Sequence, residues 1–171
     1  MNAESRRAEI LRLLKKASKP VSASKIAEKM SVSRQIIVGD IALLRAGGAQ
    51  IASTPRGYVI PADDRQAYVR QVATEHDAAG TQAELNAIVD QGCTVVDVIV
   101  EHPLYGELKG ALQISSRYDV EQFLRKCRES EAMPLSQLTN GVHLHTLSCP
   151  DEDAFHRAEQ ALRELGFLVQ D

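Results

Sequence analysis

Val32-Ser33-Arg34-Gln35-Ile36-Ile37-Val38-Gly39-Asp40-Ile41-Ala42-Leu43-Leu44-Arg45 decides how the first third of this 171-residue chain is read. Ser33 is a strong helix N-cap, because its hydroxyl can accept a free amide of the first turn. Behind it Ile37, Ile41 and Leu44 recur at helical spacing and define a stripe that faces a core. Gly47-Gly48 ends the helix near Ala46, since glycine takes the left-handed cap at little steric cost. Gly39 lies in the helix interior, where glycine costs roughly 1 kcal/mol relative to alanine.

The flanking segments complete a small module. Glu4 to Ala17 carries Ala8, Ile10, Leu11 and Leu14 among Arg6, Arg7, Arg12, Lys15 and Lys16, an amphipathic helix with a cationic outer face. Ser18-Lys19-Pro20 ends it, because proline disfavours helix in the residue before it. Ser22 or Ser24 caps a second helix, Ala23 to Met30, that buries Ile26 and Ala27. After Gly48, the runs Gln50-Ile51-Ala52-Ser53 and Gly57-Tyr58-Val59-Ile60 flank Thr54-Pro55-Arg56-Gly57, a hairpin with a basic tip. Three helices and a hairpin in this order form a winged helix-turn-helix. In such a module the third helix enters the DNA major groove by its N-terminal turns. Ser33, Arg34 and Gln35 are then candidates for base edges or phosphates, Arg56 for the backbone or the adjacent minor groove, and Gly39 for close approach. The plainer alternative is a dimerisation module with a solvated basic face. The order of cap, helix, Gly-Gly and hairpin favours DNA.

Charge separates this module from the rest. Residues 1–60 hold eleven Lys/Arg against four Asp/Glu, and residues 61–171 hold nine against nineteen, although the whole chain is only −3. A basic reader neutralises phosphates, whereas the acidic remainder is repelled by them. Two domains are expected, 1–60 and 61–171, joined by a polar hinge at Pro61-Ala62-Asp63-Asp64. No stretch has the apolar length of a membrane span, and the first residues lack a signal-peptide core. Cys93, Cys127 and Cys149 are odd in number and widely spaced, so no disulfide framework is expected. A cytoplasmic protein follows from these features.

The acidic half alternates strand and helix. Strands are expected at Tyr68 to His76, Thr94 to Val100, Leu108 to Ile114 and Gly141 to Leu147. Helices are expected at Thr81 to Gln91, Val120 to Glu129 and Asp151 to Leu165, with Phe167-Leu168-Val169 after Gly166. The sum is an α+β fold: a winged helix-turn-helix followed by an α/β sandwich, its antiparallel-rich sheet carrying helices on one face.

All five histidines lie in this half. His143 and His145 are two apart on a strand, so both imidazoles share a face while Leu144 points the other way, toward the core. His76 closes the first strand, and Glu84 lies in the first turn of the next helix. If the two strands are neighbours, three imidazoles and a carboxylate converge, a donor set suited to a divalent transition metal. Each has a plainer explanation: a wet His pair, a strand-end histidine, and a Thr81-x-x-Glu84 capping box. His102, before a proline in a loop, is ambiguous, and His156 reads as a surface helix residue.

The whole chain resembles one family, the niacin-responsive transcriptional repressors that join a winged helix-turn-helix to a 3H domain. The resemblance is carried by Ser33 to Ile41, Val59-Ile60-Pro61, His76, Val100-Glu101-His102-Pro103-Leu104-Tyr105-Gly106 and Gly141-Val142-His143-Leu144-His145-Thr146. It implies a homodimeric, non-enzymatic repressor of NAD-biosynthesis or niacin-uptake genes on double-stranded operator DNA, with nicotinic acid as co-repressor. It also implies nickel or zinc held by His76, Glu84, His143 and His145. His102 and Tyr105 are candidate effector contacts. The rival readings are a repressor for which the ion itself is the signal, a metal hydrolase, and a closed structural zinc site. The hydrolase lacks a second group assigned to proton transfer beside the cluster.

Overall fold

A computed structural model describes residues 2–61 and 67–170, so hinge residues 62–64 lie outside the described residues. The chain divides into two compact units, Met1–Asp63 and Asp64–Asp171. The first contains α1 (Ala3–Lys16), α2 (Ala23–Met30) and α3 (Arg34–Ala46), then β1 (Ala52–Thr54) and β2 (Gly57–Val59). Asn2 caps α1, Ser22 rather than Ser24 caps α2, and the Ser33 hydroxyl accepts the Ile36 amide at the start of α3. Ile10, Leu14, Ile26, Ile37 and Ile41 form the centre of an aliphatic core. Asp40, also buried, receives Arg6 at 2.5 Å and Arg7 at 3.5 Å, fixing α3 to α1.

The hairpin is tied to the helices by reciprocal hydrogen bonds between Val21 and Tyr58, 2.8 and 2.9 Å long. Gly57 makes this close approach possible: its φ is +134°, and a Cβ there would run into the Val21 backbone. The Thr54 hydroxyl donates to the Gly57 carbonyl at 2.9 Å and accepts the Arg56 amide at 3.2 Å, closing the turn.

The second unit runs β3 (Tyr68–Glu75), α4 (Thr81–Val89), β4 (Thr94–His102), β5 (Gly106–Ile114), α5 (Arg117–Glu129), β6 (Val142–Cys149) and α6 (Glu152–Glu164). The strands lie in the order β3-β6-β4-β5, and every pairing is antiparallel. Leu85, Ile88, Val120, Ala158 and Leu162 bring the three helices onto the sheet around Val95 and Leu147. Short 3-10 turns at Ala78–Gly80 and Leu135–Thr139 had no counterpart in the expected elements. After Gly166, the segment Phe167-Leu168-Val169 meets β3 through a single bridge, Thr74 to Leu168.

Two expectations are corrected. Leu144 does not face the core: His143 and His145 share the helix-facing side with buried Leu147, and Leu144 is half-buried on the opposite side. A run of β-branched or aliphatic residues shows alternation but not which side the helices cover. Cys93 and Cys149 form a disulfide, leaving Cys127 free. Thr94 pairs with Ser148, so strand register sets those two thiols opposite each other across 56 residues of chain. Spacing alone carries no trace of that register.

Gly57→Ala will cost about 1–3 kcal/mol, the scale of a strained backbone position. Native-state hydrogen exchange should show the loss first at the Val21 and Tyr58 amides, with α3 protection changing less.

Candidate functional sites

The end of β3, the first turn of α4 and the start of β6 meet in one buried cluster. Register places Val72 opposite His145 and Thr74 opposite His143, so β3 and β6 present all four side chains to the helical layer. From α4, Glu84 reaches into this layer with its side chain 1 % exposed. His76 Nε2 lies 2.6 Å from Glu84 Oε2, His143 Nε2 3.1 Å from Oε1, and His145 Nε2 3.3 Å from Oε2. The Thr74 hydroxyl donates to Oε1 at 2.6 Å. Glu84 therefore does not serve a capping box: Gly80 occupies the N-cap and no side chain caps α4.

The outer nitrogen of each imidazole is held by a backbone carbonyl. His76 Nδ1 meets the Asp77 carbonyl at 2.6 Å, His143 Nδ1 the Gly141 carbonyl at 2.8 Å, and His145 Nδ1 the Asp97 carbonyl at 2.6 Å. A carbonyl can only accept, so each Nδ1 carries a proton, and in the neutral form of each ring the Nε2 lone pair points inward. This is how outer partners orient metal-ligating histidines. His145 Nε2 has no aligned hydrogen-bond partner, although it is buried. His76, Glu84 and His143 each offer one donor atom within 4.8 Å of the others. Inward lone pairs beside a carboxylate repel unless a cation lies among them. The donor set thus fits either protons or a metal ion.

Electrostatics agree with that requirement. Burial works to raise the Glu84 carboxyl, but His145, His143 and His76 outweigh it and hold the group well below its ordinary 4.5. Burial pushes His76 and His145 down, yet Glu84 prevails and both stand above the ordinary 6.5.

Four residues that sequence reasoning missed shape the cluster. Thr74 supplies the hydroxyl, and its place two residues before His76 was a usable signal. Gly80 leaves room for the His76 ring, which an added Cβ would approach to 2.9 Å. Gly141, at φ +94°, lies where a Cβ would strike the His76 carbonyl. Its own carbonyl serves both the His76 amide and His143 Nδ1. Asp97 grips β6 twice where the β4–β6 register slips: its carbonyl takes His145 Nδ1, and its carboxylate takes the Thr146 amide at 3.0 Å. An irregularity of that kind is a tertiary event with no local signature.

The other candidates lie elsewhere. His102 and Tyr105 stack on each other at the β4–β5 turn, with ring centroids 5.1 Å apart, and His102 Nδ1 accepts the Leu104 and Tyr105 amides. These contacts are internal to the turn and not with the Glu84 cluster. His156 is exposed on α6 between Glu152 and Glu159, a surface residue as expected. In the first unit Ser33, Arg34 and Gln35 are exposed at the start of α3, and Arg56 is half-buried in the hairpin turn.

A basic helix-turn-helix unit beside a domain with a buried histidine–carboxylate cluster defines a DNA-binding regulator. Residues 6–59 match an HTH domain, and residues 69–171 match the 3H domain. The chain is 45% identical over 169 residues to the transcription repressor NadR of Bacillus subtilis (strain 168), spanning 97% of this chain and 94% of that protein. It is 43% identical over 162 residues to the probable transcription repressor NiaR of Thermotoga maritima, spanning 95% and 92% respectively. The chain belongs to this family of transcription repressors that join an HTH domain to a 3H domain. It is accordingly a DNA-binding protein and not an enzyme. Among the described residues no helix is long and apolar enough to cross a membrane.

The shifts of Glu84, His76 and His145 set a pH window for the metal-free protein. A raised imidazole stabilises below 6.5 and loses that contribution as pH climbs through its folded-state value. The lowered carboxyl stabilises above 4.5 and loses its contribution as pH falls through its own folded-state value. Chelated protein will therefore resist urea better at about pH 5.5 than at about pH 8.5. Glu84→Gln will flatten that contrast and return the His76 and His145 NMR titrations toward the ordinary range.

Proposed function

We propose that this repressor acts on NAD-biosynthesis or niacin-uptake genes, with nicotinic acid as co-repressor and one divalent metal ion held by His76, Glu84, His143 and His145. The observation that carries the metal is the convergence of three Nε2 atoms on one buried carboxylate, each ring fixed by a carbonyl at Nδ1. Imidazole nitrogen and carboxylate oxygen suit nickel or zinc, and the orphaned His145 Nε2 asks for such a partner. The effector reading rests on the resemblance to niacin-responsive repressors and on the similarity to NadR and NiaR.

Nicotinate is a small anion with a pyridine nitrogen, so its site needs a positive centre and a partly apolar slot. When bound, the ion supplies a Lewis-acidic centre for such an anion. This chain's residues orient the imidazoles, exclude water from Glu84 and compensate its charge. His102 and Tyr105, already stacked, are candidate contacts for the pyridine ring. The working division assigns residues 1–60 to the reader and 61–171 to the sensor, which also joins two copies in a cytoplasmic homodimer. A single winged helix spans few base pairs, so a two-fold operator suits two copies. Ser33, Arg34, Gln35 and Arg56 are the proposed DNA contacts.

Coupling the two sites asks little energy: a tenfold change in DNA affinity takes about 1.4 kcal/mol. Promoter fragments upstream of candidate target genes should bind more tightly with nicotinic acid, and only before chelation. Equal affinity in all four combinations of effector and chelator would remove the sensor. A full response to nickel or zinc without nicotinate would instead make the ion the signal. His145→Ala should lower metal content, read by elemental analysis, from about one ion per chain toward none. Metal affinity should also fall as pH drops through the raised imidazole values, because protons compete for the same nitrogens.

A further inference from the structure

The face that α3 turns away from its core is nearly uncharged. Ile37, Asp40 and Ile41 point inward, while Gln35, Ile36, Gly39 and Leu43 are exposed. Ile36, Gly39 and Leu43 follow one another at i, i+3 and i+7 and so share a side of the helix. Ile36 is 42% exposed and Leu43 59%. The one carboxylate of the helix, Asp40, is buried against Arg6 and Arg7 and cannot oppose phosphate there. Arg45 is turned toward the hairpin, donating to the Ile51 carbonyl at 2.8 Å with its guanidinium 5.7 Å from the Tyr58 ring.

Gly39 sharpens the point. A Cβ built there meets nothing within 4 Å, so no packing inside the chain calls for glycine. Yet glycine in a helix interior is unfavourable. Its reason therefore lies outside the chain, in a surface that must come close.

We infer that Ile36 and Gly39 are specificity-determining residues: Gly39 lets α3 seat deeply in the major groove, and Ile36 packs on thymine C5-methyl groups there. Lysine and arginine supply sequence-independent attraction to phosphate. The apolar feature that the major groove offers a side chain is the thymine methyl. Ile36, the third residue of α3, lies in the turn by which such helices reach base edges. A partner of this domain is DNA, and the module's net positive charge favours DNA over a second copy of the same basic face.

The test selects preferred duplexes for the full-length chain from a random library, then replaces thymine by deoxyuridine within the selected site, removing only methyls. Wild-type affinity should fall about fourfold for each contacted methyl, the scale of one buried methylene. Ile36→Ala should bind the thymine site more weakly and respond little to deoxyuridine. Gly39→Ala should raise the melting temperature while weakening the selected site more than random duplex. Equal wild-type binding to thymine and deoxyuridine sites overturns the inference, as does a deoxyuridine response retained in Ile36→Ala. Sedimentation showing that Ile36→Ala dissociates a dimer assigns the face to a second copy instead, and also overturns it.

Discussion

A carboxylate that has left water must be compensated, and Glu84 has left it almost completely. An uncompensated buried charge costs several kcal/mol, enough to consume much of a small domain's stability. Compensation comes from two distant stretches at once: His76 after β3, with the Thr74 hydroxyl beside it, and His143 and His145 on β6. The position of α4 over the sheet is therefore electrostatic as well as hydrophobic. Leu85 and Ile88 hold the helix by its apolar side while Glu84 determines which end of the sheet lies under its first turn.

Because carbonyls hold Nδ1 of every ring, the cluster answers a change of occupant through the backbone. Gly141 shows the route. Its carbonyl accepts both the His76 amide and His143 Nδ1, and its own amide donates to Ser136 in the adjacent 3-10 turn. Asp97 does the same on the other flank, joining His145 to β4 through its carbonyl and Thr146 through its carboxylate. On the proposed reading, a cation that entered would reach these turns through the same hydrogen bonds, because packed segments have few alternative arrangements.

Much of this was legible in the amino-acid pattern, and the illegible parts share a cause. Capping serines at 22 and 33, the Gly47-Gly48 stop and the Ile37–Ile41 stripe are local signals, and they located α2 and α3 closely. The period-2 spacing of His143 and His145 put two rings on one face without any coordinates. What the pattern could not supply was which face the helices cover, so Leu144 was assigned to the core when the histidines hold that side. Register was equally hidden: the Cys93–Cys149 disulfide and the grip of Asp97 both depend on how β4 lies along β6. Glu84 was ambiguous because a capping box and a buried ligand use the same residue type at the same helix position.

Stability rules are broken at Glu84 and at Gly39, and both are places where we propose recognition. A buried carboxylate ringed by imidazoles is a poor way to fill a core, since well-packed apolar side chains of similar volume often hold a fold at least as well. An exposed glycine in the middle of α3 weakens a helix for no internal return. Elsewhere local preference and tertiary packing agree: side-chain caps open α1, α2, α3, α5 and α6, aliphatic residues fill both cores, and arginines meet the buried Asp40. Where a chain that is otherwise locally consistent accepts such costs, the compensating interaction lies with something the chain binds. For Glu84 and the three imidazoles around it the proposed partner is a cation, because positive charge offsets what burial has stripped from the carboxylate. For Gly39 it is a surface that must approach the helix backbone, because the absent side chain leaves space and offers no charge.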